Sequence, residues 1–211
     1  MIIKTNPDEF ENFIIDASNF KGNCEAVYFP ENVEEVVSIL KEANTNKTKV
    51  TIAGNGTGLT GARVPQNGIV IATDKLNKIL EINPNEFYAL IEPAVLLSDF
   101  QKELKQQNLF YPPDPTETNC YIGGTVATNA SGAKTFKYGP TREYIIGLQI
   151  VLSDGEVLDL ERGKQKSSGY SLSFITQSGK NISLQIPDYA FPAVKNASGY
   201  FVKKDMDAID L

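Results

Sequence analysis

The sequence predicts an α+β protein, and three observations carry that prediction. Val33, Val36, Val37, Leu40 and Ala43 recur at helical spacing in the first half. The second half alternates in short apolar runs around turn residues, the mark of antiparallel hairpins. The two patterns occupy different parts of the chain rather than alternating as βαβ units, which argues against a doubly wound sheet.

Taken in order, Asn6-Pro7-Asp8-Glu9 reads as a helix start, with Phe10, Phe13 and Ile14 as its apolar stripe. A second helix opens near Asn32, where Glu35 stands three residues on as in a capping box, and closes in Asn44-Thr45-Asn46. Val50-Thr51-Ile52 and Ile69-Val70-Ile71 are short buried strands. Ile79 to Ile82 and Phe87 to Ile91 form a hairpin around Asn83-Pro84-Asn85, and a third helix follows at about Ser98 to Asn108 with Phe100 and Leu104 inward. Three prolines in Tyr111-Pro112-Pro113-Asp114-Pro115 remove donors and fix the backbone, so that stretch is irregular. A small-residue loop runs from Ile122 to Gly132. Two hairpins complete the chain, 145–152 with 157–160 around Asp154-Gly155, and 172–176 with 182–186.

The bulk numbers narrow the function. The 211 residues are 41% hydrophobic and 22% charged, as in a globular protein able to bury a core without disulfides. A net charge of −6, with no basic run, excludes nucleic acid and an anionic membrane surface as expected partners. No stretch has the length of a membrane span or the pattern of a leader, and the two cysteines form no CxxC pair, so the expected compartment is the cytoplasm. With no histidine, a Ser-His-Asp triad, a His-ligated metal and a His-tethered flavin are all ruled out. Chemistry must come from a cofactor, from the remaining polar side chains, or from another chain.

The most informative segment is Gly54-Asn55-Gly56-Thr57-Gly58-Leu59-Thr60-Gly61. Gly56, Gly58 and Gly61 satisfy GxGxxG, but a Rossmann site needs that fingerprint to open a helix. Pro65 and Gly68 interrupt at once, and another strand follows. The phosphate-binding P-loop pattern fails too, because Ala62 stands where a lysine is required. A glycine-rich loop between strands can still turn successive backbone N–H groups toward an anion, with Thr57 and Thr60 as further donors. An ordinary tight loop accounts for the glycines alone. The second small-residue stretch, Ile122-Gly123-Gly124 through Thr128-Asn129-Ala130-Ser131-Gly132, together with the proline-rich loop, points to an extended flat cofactor.

These residues resemble a known family. Phe29-Pro30-Glu31-Asn32, the glycine loop, Glu92-Pro93-Ala94-Val95, Tyr111 to Pro115, Ile122 to Gly132 and Lys137-Tyr138-Gly139-Pro140-Thr141-Arg142 occur in the order found in the vanillyl-alcohol-oxidase superfamily. The chain resembles its PCMH-type FAD-binding domain, in the branch that holds glycolate oxidase (GlcD) and D-lactate dehydrogenase. The resemblance implies one domain over 1–211 in two lobes, a mixed α/β lobe at about 1–92 and a mainly antiparallel one at about 93–211. It implies non-covalent FAD, held by Gly54, Asn55, Gly56, Thr57, Gly58, Leu59 and Thr60 at the pyrophosphate. Pro113, Gly123, Gly124, Thr128, Asn129 and Gly132 would line the flavin and ribityl side, with Tyr138 and Gly139 closing the cleft.

The implied activity is oxidation of a small 2-hydroxy acid such as glycolate or D-lactate, with hydride passing to the flavin. Ala94 and Ser131 replace glycines usual in the family, and 163–189 is expected as a long surface hairpin. Lys195 to Tyr200 resembles the stretch that precedes a Gly-Ser-Glu-Gly-Thr-Leu-Gly motif and a substrate cap; the sequence ends at Leu211 before either. The expectation is therefore little turnover by the chain alone, with a partner subunit or a homodimer completing the site. The alternatives are a non-catalytic FAD-binding subunit of a split enzyme and an inactive remnant. Cys120 either is simply buried or attaches the flavin; Arg142 either neutralises the cofactor or pairs with a carboxylate; Asp114 is a turn residue; Lys195 is either solvated or near the substrate.

Overall fold

Asn32 opens the first helix as the sequence predicts. In the computed structural model, which describes residues 1–190, 192, 194 and 200–211, the Asn32 side chain accepts from Glu35 N at 2.9 Å ahead of α1 (Val33–Asn46). Glu35 returns its carboxylate to Glu31 N at 2.8 Å and to the N-terminal ammonium at 3.0 Å. Lys47, in the left-handed region at φ 57°, ends the helix by donating back to Ala43 and Asn44.

Two compact units form, Met1–Thr141 and Arg142–Leu211. The first is built on β1 (Ile2–Lys4), β2 (Ala26–Phe29), β3 (Val50–Ala53) and β4 (Ile69–Ala72), in the order β1-β2-β4-β3. β4 lies parallel to both β2 and β3, and β1 closes one edge antiparallel to β2. All four β4 residues are buried, as a continuous apolar run between two parallel neighbours should be. Val70 and Ala72 join Phe10, Val27, Phe29 and Ala53 in one cluster, while Ile69 lies with Ile39 and Ala43 of α1 on the other face.

The N-terminal helix is corrected. Pro7–Glu9 and Glu11–Phe13 are separate 3-10 turns, although Asn6 does cap the first. Continuing the helix would consume carbonyls that tertiary donors claim: Arg63 takes those of Asn12 and Ile15, and Gly22 N takes Ile14 O. Phe10 nevertheless buries fully.

The hairpin β5 (Ile79–Asn83) and β6 (Tyr88–Ile91) carries α2 (Leu97–Gln106). Val95, Leu97, Phe100, Leu104, Cys120 and Ile122 pack over its Ile79, Ile82, Ala89 and Ile91. The boundary expected near 92 and 93 lies within this unit, where Ala94 N donates to Leu76 O at 2.7 Å and Gly123 N to Pro93 O at 2.8 Å. A second correction concerns 122–132. Ile122–Ala127 is a short helix, α3, because burial of Ile122 and Thr125 outweighs the poor helix propensity of two glycines. A further single turn, α4 (Thr135–Tyr138), follows.

In the second unit β7 (Gly147–Val151) pairs with β8 (Val157–Glu161), and β9 (Ser171–Ile175) with β10 (Asn181–Gln185), both antiparallel. The later hairpin is no surface appendage: Leu172 and Phe174 are buried with Leu158, Leu160, Val202 and Met206 in the unit's core. The turns are tied by Glu156, which accepts from Thr176 Oγ1 at 2.6 Å and from Ser178, and by Lys180 to Asp154 at 2.5 Å. Lys195 and its neighbours through Gly199 lie outside the described residues. Among the described residues no helix is long and apolar enough to cross a membrane.

Two predictions follow from these ties. Asn32→Ala removes the cap and should cost about 1 kcal/mol in chemical denaturation. The Ser178 and Thr176 hydrogen bonds hold the Glu156 carboxyl below its ordinary value. Its contribution is therefore present above the unfolded carboxylate range and disappears as pH falls through the lower folded value. The protection factors of the Thr176 and Gly179 amides, taken relative to intrinsic exchange at each pH, should fall on acidification, and Glu156→Gln should flatten that dependence.

Candidate functional site

Parallel pairing requires the chain leaving β3 to return the full strand length before β4 begins, and residues 54–68 do so without a helix. Gly56 and Gly61 take φ +74° and +73° within this return. Its backbone is held from below by the 12–18 segment. Arg63 Nε donates to Ile15 O at 3.1 Å, and its Nη atoms donate to the carbonyls of Gly54 and Asn12. The buried carboxylate of Asp16 accepts from Gly61 N at 2.9 Å, and Ala17 N donates to Gly56 O at 2.9 Å. Burial pushes the Arg63 guanidinium down, against the upward pull of Asp74 and Asp16.

The upper side of the loop is different. Among the described residues, no acceptor engages the backbone N–H of Asn55, Gly56, Thr57, Gly58, Leu59 or Thr60, nor the hydroxyls of Thr57 and Thr60. Leu59 is 75% exposed. Asn55 Nδ2 reaches Asn119 O at 2.6 Å, joining this loop to the segment that enters α3. There the Tyr121 ring lies 3.8 Å from where a Gly54 Cβ would stand, and its hydroxyl donates to Asp74 Oδ1 at 3.4 Å. Burial, then Asp74, raises the Tyr121 phenol. The other Asp74 oxygen is buried with no hydrogen-bond partner among the described residues.

The glycines of the second segment divide into two kinds. A Cβ on Gly132 would stand 1.6 Å from Asp114 O, and one on Gly123 would stand 2.6 Å from Pro93 Cβ, so both are glycine because the chain's own backbone passes there. A Cβ on Gly124 meets nothing within 4 Å. No internal contact demands glycine there, and the position faces open space beside Thr128, whose hydroxyl turns back to Gly124 O at 2.8 Å. Asn129 ends α3 with φ 45°. Pro113 is buried, its carbonyl taken by Gln101 Nε2 at 3.2 Å. Tyr138 packs edge-on against Phe110 at 5.6 Å, and Gly139 caps α4.

The first glycine loop, the α3 segment and the proline-rich loop thus fall within one unit, the first two in contact through Asn55 and Gly54. A row of unused N–H donors, two free hydroxyls and a small-residue helix edge suit a flat ligand bearing a diphosphate. Arg63, Asp16, Asp74 and Tyr121 escape sequence reasoning, because nothing in the sequence marks which polar residues of the connecting segments meet the loop. Cys120 is buried in the α2 cluster, and burial raises its thiol. Asp114 pairs with Lys134 at 3.0 Å. In the second unit, Arg142 Nε donates to Asp210 O at 3.1 Å and its guanidinium lies over Phe201. Tyr200 is exposed.

The chain is similar to several known proteins. Over 154 residues the chain is 42% identical to a D-lactate dehydrogenase of Anaerostipes hadrus, covering 72% of this chain and 32% of that protein. Glycolate oxidase subunit GlcD of Bacillus subtilis is 35% identical over 168 residues, 75% of this chain and 36% of its own length. The chain therefore spans about a third of the length of the curated relatives it matches. The solved 6-hydroxy-D-nicotine oxidase of Arthrobacter nicotinovorans superposes with a TM-score of 0.70 at 19% identity, over 77% of this chain and 36% of that one, and so shares the fold. Residues 24–161, which contain both glycine segments and β2 through β8, match the model of the FAD binding domain, and the chain belongs to that family, with FAD as its cofactor.

Proposed function

We propose that this chain holds FAD non-covalently for the oxidation of a 2-hydroxy acid, of the kind represented by D-lactate or glycolate, to the 2-oxo acid. The observation that carries the reading is the run of backbone N–H groups from Asn55 to Thr60 with no acceptor among the described residues. In this reading Gly54, Asn55, Gly56, Thr57, Gly58, Leu59 and Thr60 hold the diphosphate, N–H groups and hydroxyls serving as donors. Pro113, Gly123, Gly124, Thr128, Asn129 and Gly132 border the flavin and ribityl portion, and Tyr138 and Gly139 close the same cleft. FAD supplies the two-electron redox chemistry when bound; the chain's residues bind, orient and exclude water. The buried Cys120, away from solvent in an apolar cluster, supports non-covalent attachment. The cytoplasm is the proposed compartment, and the 2-hydroxy acid, like any partner subunit or second copy, would meet the whole protein.

The test is the visible spectrum of the purified protein with and without added FAD, followed by acid precipitation. A flavin spectrum released quantitatively into the supernatant is expected; colour retained in the pellet would overturn non-covalent attachment, and no uptake from excess FAD would overturn the site. The two kinds of glycine give a finer check. Gly132→Ala should lower the melting temperature, since its Cβ collides with Asp114 backbone. Gly124→Leu should leave the melting temperature of the apoprotein within a few degrees, yet abolish FAD uptake, because the space it fills is the ligand's.

A further inference from the structure

Three charged groups lie against the underside of the 54–61 loop. The Arg63 guanidinium carbon is 2.7 Å from where a Gly56 Cβ would stand, and Asp16 Oδ2 is 4.0 Å from the equivalent point on Gly58. Asp74 stands behind Tyr121, whose ring lies beneath Gly54. One guanidinium, under the influence of both carboxylates, thus lies beside a loop whose N–H groups from Asn55 to Thr60 have no acceptor among the described residues. A diphosphate bound by those N–H groups would feel the balance of the three charges.

We infer that Arg63 is a positioning residue for the diphosphate: from beneath, it fixes the loop through the carbonyls of Gly54, Asn12 and Ile15, and it offsets the two carboxylates that would otherwise repel the phosphates. This rests on the reading that the diphosphate of FAD occupies the loop. Asp74 supplies the means of separating charge from geometry. Its Oδ1 accepts the Tyr121 hydroxyl and its Oδ2 has no partner among the described residues. Asp74→Asn therefore keeps the one hydrogen bond, adds no lost acceptor, and deletes a negative charge.

The experiment is titration of FAD, and of ADP as a flavin-free diphosphate, into the wild-type protein and into Arg63→Met, Arg63→Lys, Asp74→Asn and the Arg63→Met/Asp74→Asn double variant. Arg63→Met should weaken both ligands about tenfold, the equivalent of one charge-assisted contact. Arg63→Lys should recover part of that loss. Asp74→Asn should tighten both ligands about threefold at low salt, with the gain shrinking as salt rises. The double variant restores the original charge balance without the Arg63 hydrogen bonds, and should bind more tightly than Arg63→Met alone. Asp74→Asn with unchanged or weaker affinity would overturn the electrostatic role even if Arg63→Met fails to fold. Wild-type protein that takes up neither FAD nor ADP would instead defeat the reading of the loop itself, and this inference with it.

Discussion

The parallel alignment of β3 with β4 is the constraint from which the rest of the first unit follows. Neighbouring parallel strands need a return path, and the usual solution is a helix that satisfies its own backbone. Residues 54–68 return without one, so their peptide groups must find other partners or face solvent. On the lower side the partners are supplied by Arg63, Asp16 and Ala17, which draw the 12–18 segment up against the loop. That demand is also why the N-terminal segment is broken into 3-10 turns, since its carbonyls are used by Arg63 and Gly22 rather than within a helix. The N–H groups from Asn55 to Thr60 find no acceptor among the described residues. A single topological requirement thus accounts for a half-buried arginine, a buried aspartate, an unwound terminus and a row of donors.

The second segment illustrates how one composition serves two purposes. Gly123 and Gly132 let the chain pass close to Pro93 and Asp114, and so hold α3 in place against the α2 cluster. Gly124 lies between them in sequence but meets nothing. The packing glycines position the helix; the unpacked one leaves its surface bare. The segment is thus held where the backbone crosses and open at Gly124, with little side-chain entropy to lose there.

Much of this was legible before any coordinates. The Asn32 cap, the buried run at Ile69 and the hairpins all followed local rules that tertiary structure did not override. The rejection of a Rossmann site rested on Pro65 and Gly68, and the absence of a helix after Gly61 agrees with it. Two kinds of feature were hidden. Ile122–Ala127 looks like a loop because glycine propensity is local information, whereas its helicity comes from burying Ile122 and Thr125. Arg63 carries no mark in the sequence, because two of its three carbonyl partners, Asn12 and Ile15, are far away along the chain. The underside of the loop was invisible for the same reason, while the loop itself, written in glycines, was plain.

The distribution of titratable groups then bears on where the chemistry resides. The chain has no histidine, and two of the charged residues beside the glycine loop are committed to backbone groups: Asp16 to Gly61 and Ser18, Arg63 to three carbonyls. Tyr121 is the remaining acidic hydrogen, and both burial and Asp74 hold it in the protonated form. Together these groups fix the shape and charge of the surface around the loop. That division suits a domain whose reactive centre is carried by its cofactor: the protein contributes geometry and field, and the electrons move elsewhere than through its side chains.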